Sequence, residues 1–377
     1  MDLNISSYEG IKEELDKLFE KALAKKFFSG ATAGISIGNP RKRKKLIVAY
    51  GRTSYESSAE EVNDKVCFDL ASLTKPLATT LAVLALIKEK KIGLSQTLHQ
   101  LLEEKIADEK SLITLRHILS HSAGFPAHRP YFEKLMETPP ENRKALLHSL
   151  IISEPLVGKP GEQSLYSDLG FMLLGRIIEI KSGERLDRFV ENKIYKPLGA
   201  EKGMFYNPLA EKNRQDKVFA ATEHCPWRHK TLYGEVSDDN AYAVGGVAGQ
   251  AGLFGDIESV LAMTIHLLDQ WKKRETPENY DSDDLSTFLT RQEQIKESTW
   301  ALGFDTPSKT GSSSGKYLSE KSVGHLGFTG TSFWIDPTRD LVMVLLTNRV
   351  HPSRDNDAIK RFRPQFHDTV IEQLGLQ

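Results

Sequence analysis

From Leu81 to Ile87 the chain reads Leu-Ala-Val-Leu-Ala-Leu-Ile, a helical stretch with no polar side. A helix that is hydrophobic all round must be covered all round, so the rest of the chain has to supply packing surfaces on every side of it. The run closes a longer helical segment, LTKPLATTLAVLALIKEK, which starts at Ser72 and is stopped by Gly93. A chain of 377 residues is long enough for such a body, as one large domain or two intimate ones. Its 39% apolar and 27% charged residues exclude global disorder and fibrous classes. A formal net charge of -1 gives no general attraction to nucleic acid or anionic membrane. The two cysteines, Cys67 and Cys225, exclude a disulfide framework, and neither has a neighbour that would make a cysteine-based zinc site.

Strand patterns lie at the two ends of the chain. Thr32–Gly38 and Leu46–Tyr55 read as β-branched and aromatic strands around a basic hairpin turn, and VCFDLAS reads as a short third strand leading to Ser72. The middle is mostly helical: TLRHILSH, SDLGFMLLGRIIEIKSG ending at Gly183, RLDRFVENKIY, and a helix near 256–272. Residues 234–255 carry too many glycines for a regular element and read as a long structured loop. ALGFD, SVGHLGF, TSFWIDP and LVMVLLTN return to strand patterns, the last two joined by a hairpin at Asp336–Asp340, and a final helix is expected over Pro364–Leu374. The expected fold is α/β of the α+β kind: an antiparallel sheet built from both termini (1–71 plus 290–377), flanked by helices, with a mainly helical lobe and active-site loops over 72–289.

Three constellations could carry chemistry. Ser72-Leu73-Thr74-Lys75 places a hydroxyl and an amine at i and i+3, on one helix face. A serine needs a base to become nucleophilic, and a lysine serves only if burial or nearby cations lower its pKa, which the apolar helix would supply. At a helix start, Ser72 would also direct free N–H groups toward a developing oxyanion. The bland alternative is an N-cap serine and a solvated lysine. Tyr166-Ser167-Asp168 follows the Pro160-Gly161 turn and precedes an apolar helix. There Tyr166 could shuttle a proton, or be a packing ring with Asp168 as an N-cap. His325-Leu326-Gly327-Phe328-Thr329-Gly330-Thr331 sits on or beside a strand whose glycines permit close backbone approach to a ligand.

Taken together and in this order, the three resemble the signature of the penicillin-recognising serine hydrolases, in the class C β-lactamase-like branch of esterases, D-aminopeptidases and DD-peptidases. That family shows S-x-x-K, then Y-x-N, then K-T-G or a relative such as H-x-G. The stretches TLRHILSHSAGFP, IYKPLGA and GHLGFTGTSFWIDPTRDLVMVLLTNR are similar as well, so the likeness covers about residues 30–375. It implies a Ser72 acyl-enzyme with Lys75 and Tyr166 moving protons. Backbone N–H groups of Ser72 and Phe328 would hold the oxyanion. His325 would border the pocket, donating to a substrate carboxylate or to Tyr166, and Asp168, Gly327 and Thr329 would contact substrate. No metal and no organic cofactor are implied.

Three departures bear on substrate. Asp168 stands where the family has Asn, which trades a donor for an acceptor-only group when ionised. His325 and Leu326 replace the Lys-Thr pair that in β-lactamases holds the substrate carboxylate, which argues against efficient penicillin binding. Gln250 stands where close relatives carry His, an exchange with no chemical role assignable from sequence. With Met1 as the start, the N-terminus has neither an apolar signal core nor a small-residue cleavage site, and no window of about 18 apolar residues is expected to span a membrane. The expectation is a cytoplasmic enzyme for a small ester, amide or muropeptide-like substrate, with no nucleic-acid partner. A true β-lactamase and a non-catalytic penicillin-binding-like sensor are the alternatives.

Other patterns compete for the same roles. Gly34-Ile35-Ser36-Ile37-Gly38 matches the G-x-S-x-G elbow, but Ser36 lies inside an alternating strand followed by Asn39-Pro40, not at a strand-to-helix turn. Arg41–Lys45 is five consecutive bases in a hairpin turn with no nucleic-acid motif beside it. His117 and His121 are spaced i, i+4 like half a zinc site, without the Glu of H-E-x-x-H.

Overall fold

A computed structural model describes residues 5–207, 209–210, 216–274 and 280–377. Two strands from the N-terminal end, β1 (Gly30–Ile37) and β2 (Lys44–Gly51), join three from the C-terminal end, β3 (Val323–Leu326), β4 (Ser332–Asp336) and β5 (Leu341–Thr347). They form one antiparallel sheet in the order β2-β1-β5-β4-β3. Ala31 pairs with Thr347 and Ile37 with Leu341, so β1 and β5 are the centre of the sheet.

Both faces of that centre are covered, and the side-chain period of two divides the residues between them. Ala31, Ala33 and Ile35 with Leu341, Met343 and Leu345 pack on the outer helices α1 (Ile5–Ala24) and α5 (Ile359–Gln373). Val342, Val344 and Leu346 turn to the other face, against α4 (Ile257–Trp271) and the helical region. At Gly34 an added Cβ would meet Leu261 and Ile257 at 3.1–3.3 Å, which is how closely α4 lies on the strand. Ser36 is therefore a buried mid-strand residue paired with Val342 and Lys45, with no elbow.

The apolar helix lies where its sequence demands. Ala71–Leu73 is a 3₁₀ turn, Lys75–Thr80 a π-helical stretch, and α2 (Leu81–Lys88) completes it; Leu81 through Leu86 are all buried. Ala71–Lys88 is, contrary to the expectation of no such window, long and apolar enough to cross a membrane by length and composition, but 78% of it is covered by the rest of the protein. Beside it packs α3 (Asp168–Ser182), with Phe171, Leu174 and Ile178 buried and Gly183 closing it in the left-handed region.

Several sequence expectations need correction. ALGFD makes only isolated bridges at Asp305, to Trp300 and to Gly324, because Gly303 at φ +81 turns the run back on itself, and VCFDLAS contributes just Phe68–Asp69 before the chain turns at Ala71, φ +47. The last helix begins at Ile359, five residues before Pro364, since burial of Phe362, Phe366, Val370 and Ile371 outweighs the backbone bond that the proline removes. The glycine-rich loop contains a short helix, Asp239–Ala243, and the strand Leu253–Gly255.

Candidate active site

The backbone delivers Ser72 to a cavity of about 650 Å³ whose wall includes Ser72, Tyr166, Asp168, Trp300, His325 and Gly327–Thr329. Ser72 follows Ala71, which is held at φ +47, and sits in the 3₁₀ turn ahead of the π-helical stretch. One turn on, the side chain of Lys75 is fully buried and donates to Ser72 Oγ (3.1 Å), to Asp168 Oδ1 (2.7 Å) and to the Gln250 carbonyl (3.2 Å). All three ammonium hydrogens thus have an acceptor, and the charge also lies 4.9 Å from the Tyr166 ring centre.

This arrangement overturns the expected depression of Lys75. Burial does push its pKa down, but the Asp168 carboxylate and the Tyr166 oxygen more than reverse that, and Lys75 is held above the ordinary lysine range. Asp168 shows the reciprocal effect. Burial opposes its ionisation, yet the Lys75 ammonium, with help from His128 at 3.4 Å, keeps the carboxyl well below the usual carboxylate range. The resting pair is ammonium and carboxylate.

Tyr166 sits over this pair in an aromatic box formed by Trp300 (stacked, 5.4 Å between centroids), His121 (4.7 Å) and His325 (6.1 Å). Burial raises its phenol pKa, while the Lys75 charge and contacts of the hydroxyl with Lys75 and Ser72 lower it; the net direction is up. His325 is buried and pushed down to about 3, by burial first and by Lys75 second, so it is neutral. Its Nδ1 lies 2.9 Å from the Leu326 carbonyl and carries the proton, which leaves Nε2 as a buried acceptor without a partner among the described residues. The expected donation from His325 to a carboxylate or to Tyr166 is corrected accordingly, since that nitrogen has no hydrogen to give.

Gly327, Phe328 and Thr329 form the turn between β3 and β4. A Cβ on Gly327 would lie 2.0 Å from Thr331 Oγ1 and 2.7 Å from the Leu70 carbonyl, so only glycine fits against the Ser72 turn. The Phe328 N–H makes no backbone bond among the described residues, and Phe328 lines the cavity. Thr329 lines the cavity, and its buried hydroxyl donates to the Asp69 carbonyl (2.7 Å), so the side chain also fastens this turn to the strand before Ser72. Gln250 also acquires a role: its carbonyl accepts from Lys75, and its side-chain amide donates to Asp238 (3.2 Å).

Three site residues, Trp300, Arg349 and Arg363, carried no sequence signal, and His121 carried only that of a metal pair. Trp300 and His121 build the box around Tyr166. Arg349 donates to the Phe328 carbonyl (2.7 Å) and lies over its ring, and Arg363 donates to the Gly327 and Thr331 carbonyls (both 2.7 Å). Arg363 is buried against the cavity, pairs with no carboxylate among the described residues, and has its pKa pushed down to about 9 by burial and by Arg349. Its Nε is buried with no acceptor among the described residues. His117 and His121 are not a metal pair: the Nδ1 of one accepts from Thr114 N–H and that of the other from Ser167 N–H. In the basic turn, Arg43 is bound by the buried Asp269 at 2.6 Å.

A serine hydroxyl one turn before a buried lysine, under a tyrosine from a second segment and beside a glycine turn at a strand end, is an active-site-serine hydrolase. The chain belongs to the beta-lactamase family, whose profile matches residues 15–365. A protein of Escherichia coli K12 provisionally named a D-alanyl-D-alanine carboxypeptidase is 32% identical over 306 residues, 75% of this chain and 69% of that protein. Among solved structures, EstCE1, a hydrolase with promiscuous acyltransferase activity, superposes with a TM-score of 0.74 at 20% identity, over 97% of this chain and 100% of that one. A simvastatin synthase variant from Aspergillus terreus gives 0.71 at 18% identity, over 96% and 95%.

Proposed function

We propose that this serine hydrolase cleaves a D-amino-acid peptide next to its terminal carboxylate, through an acyl-enzyme on Ser72. The observation that carries the reading is Arg363, a buried guanidinium with no carboxylate partner among the described residues, beside the Gly327–Thr329 turn in the same cavity as Ser72. A buried cation without a counter-ion is costly unless something of opposite charge arrives. A substrate carboxylate would meet that need and take over the task that the family's Lys-Thr pair performs elsewhere. The E. coli relative's name points to the same substrate class.

The protonation states dictate the division of labour. Lys75, held as ammonium, is not the base; it stabilises negative charge on Tyr166. The Ser72 Oγ attacks the carbonyl carbon as its proton passes to Tyr166 Oη in the phenolate form. The oxyanion forms between the N–H groups of Ser72 and Phe328, each such donor contributing about 3 kcal/mol. Collapse breaks the C–N bond, and the leaving amine takes the proton from Tyr166. Water then attacks the ester, losing its proton to the same oxygen and releasing Ser72.

A panel of a D-alanyl-D-alanine peptide, its C-terminal amide, p-nitrophenyl acetate and nitrocefin tests the reading, with Ser72→Ala as control. The free-acid peptide is expected to be cleaved at least tenfold more efficiently than its amide. Equal turnover of acid and amide, or hydrolysis confined to the neutral ester, would replace the peptidase reading with an esterase. Fast nitrocefin turnover would favour a β-lactamase, and failure of a fluorophosphonate to label Ser72 would leave the ligand-sensor reading.

A further inference from the structure

The nucleophile is preceded by a residue in an unfavourable backbone region. Ala71 has φ +47, a conformation that side-chain-bearing residues rarely adopt and that persists only when its surroundings enforce it. The enforcing group is the carboxylate of Asp69, only 2% exposed. Its Oδ1 accepts the Ala71 N–H at 2.8 Å, and its Oδ2 accepts the N–H of Ser237, a residue of the cavity wall, at 2.7 Å. The neighbouring backbone is fastened to the oxyanion turn. Thr329 Oγ1 donates to the Asp69 carbonyl (2.7 Å) and Thr331 Oγ1 to the Leu70 carbonyl (3.1 Å). Asp69 therefore ties together the Ser72 turn, the loop at Ser237 and the turn that carries Phe328.

We propose that Asp69 is a positioning residue for catalysis, its carboxylate holding Ala71 in the left-handed conformation that sets Ser72 N–H and Oγ opposite the Phe328 N–H. Without that bond Ala71 relaxes toward the right-handed region, and the Ser72 and Phe328 donors no longer converge on one oxygen. Both carboxylate oxygens face N–H donors, so the clamp works only when Asp69 is ionised; a protonated carboxyl would set a hydroxyl hydrogen against one of them. Burial pushes its pKa up to about 6 against the pull of the two N–H groups. Of the charged groups around it, Asp238 adds to the rise and Arg228 opposes it. The clamp consequently closes as the pH rises through about 6.

The inference rests on Ser72 being the nucleophile, which labelling of the wild-type chain at Ser72 by a fluorophosphonate tests by itself. Given that result, the rate of labelling is followed from pH 5 to pH 8. On top of the steady rise that ionisation of Tyr166 brings, the wild type should gain about a further tenfold across an inflection near pH 6. Asp69→Asn should label roughly 30-fold slower at pH 7.5, lose that inflection, and keep its thermal midpoint within a few degrees. Adding Ala71→Gly to Asp69→Asn should recover at least fivefold, because glycine takes a positive φ without support. A merely structural carboxylate would not be rescued by a glycine at the next residue but one. Labelling of Asp69→Asn at more than a third of the wild-type rate, or persistence of its inflection, overturns the proposal. Should Asp69→Asn not fold, Ala71→Gly alone decides: it should flatten the inflection of the otherwise intact protein, and an unchanged inflection overturns the proposal equally.

Discussion

Replacing Asp168 by asparagine restores the residue common in the family and isolates what the carboxylate does to Lys75. The two charges are 2.7 Å apart, where unit charges attract by ~6 kcal/mol at an effective dielectric constant near 20. Part of that attraction offsets the desolvation of a fully buried ammonium, and removing one partner of such a pair costs about 3–5 kcal/mol. At ~1.36 kcal/mol per pKa unit, the same energy is about 2–4 units, which brings the Lys75 amine from above the usual lysine range back to it or somewhat below. The sign follows for stability. In the wild type the raised pKa contributes stability that is complete below the unfolded value near 10.4, so this pair leaves the thermal midpoint flat from pH 6 to 9. In Asp168→Asn the native pKa lies below the unfolded one, so the native state binds fewer protons and gains stability as pH rises from 7 to 10. The variant should melt roughly 4–6 °C lower at pH 6 and recover part of that loss as the pH nears 10. Its kcat/KM should rise at a lower pH than the wild type's, because Lys75 loses its proton earlier and can then take the Ser72 proton, whereas wild-type activity should climb only as Tyr166 ionises. Thermal midpoints across pH and a pH–rate profile on p-nitrophenyl acetate measure both effects. Melting and rate profiles parallel to the wild type at every pH would refute control of Lys75 by Asp168.

Tyr166→Phe keeps the ring stacked on Trp300 but removes the oxygen, so acylation should slow by about 10²–10⁴ with the melting temperature nearly unchanged; a third of wild-type activity would exclude Tyr166 as the proton carrier. Arg363→Leu should raise KM for a free-acid D-alanyl peptide about tenfold or more and leave p-nitrophenyl acetate hydrolysis within threefold, and equal effects on both substrates would remove the carboxylate subsite. Gly327→Ala places a methyl 2.0 Å from Thr331 Oγ1, which should cost about 1–3 kcal/mol and slow Ser72 labelling by displacing the Phe328 N–H; normal melting and labelling would contradict the close fit.

Local pattern was enough for much of the fold. The all-apolar face of Leu81–Ile87 could only be interior, and it is the helix on which the Ser72–Lys75 pair is mounted. The alternating strands at both ends of the chain pair with each other, Ala31 with Thr347, as strands with two covered faces should. The i, i+3 relation of Ser72 and Lys75 is a local helical property and was readable for that reason, as were the candidate roles of Tyr166 and the glycine turn. What the tertiary structure alone decided is charge and contact across long separations. Lys75 is an ammonium because a carboxylate 93 residues away lies against it, and burial by itself would have had the opposite effect. Arg363, Arg349 and Trp300 reach the cavity from segments in which nothing local distinguishes them from ordinary core or surface residues. A pKa depends on distance and desolvation, and both are properties of the assembled chain, so the order of residues named the reacting groups while the packing set which of them holds the proton.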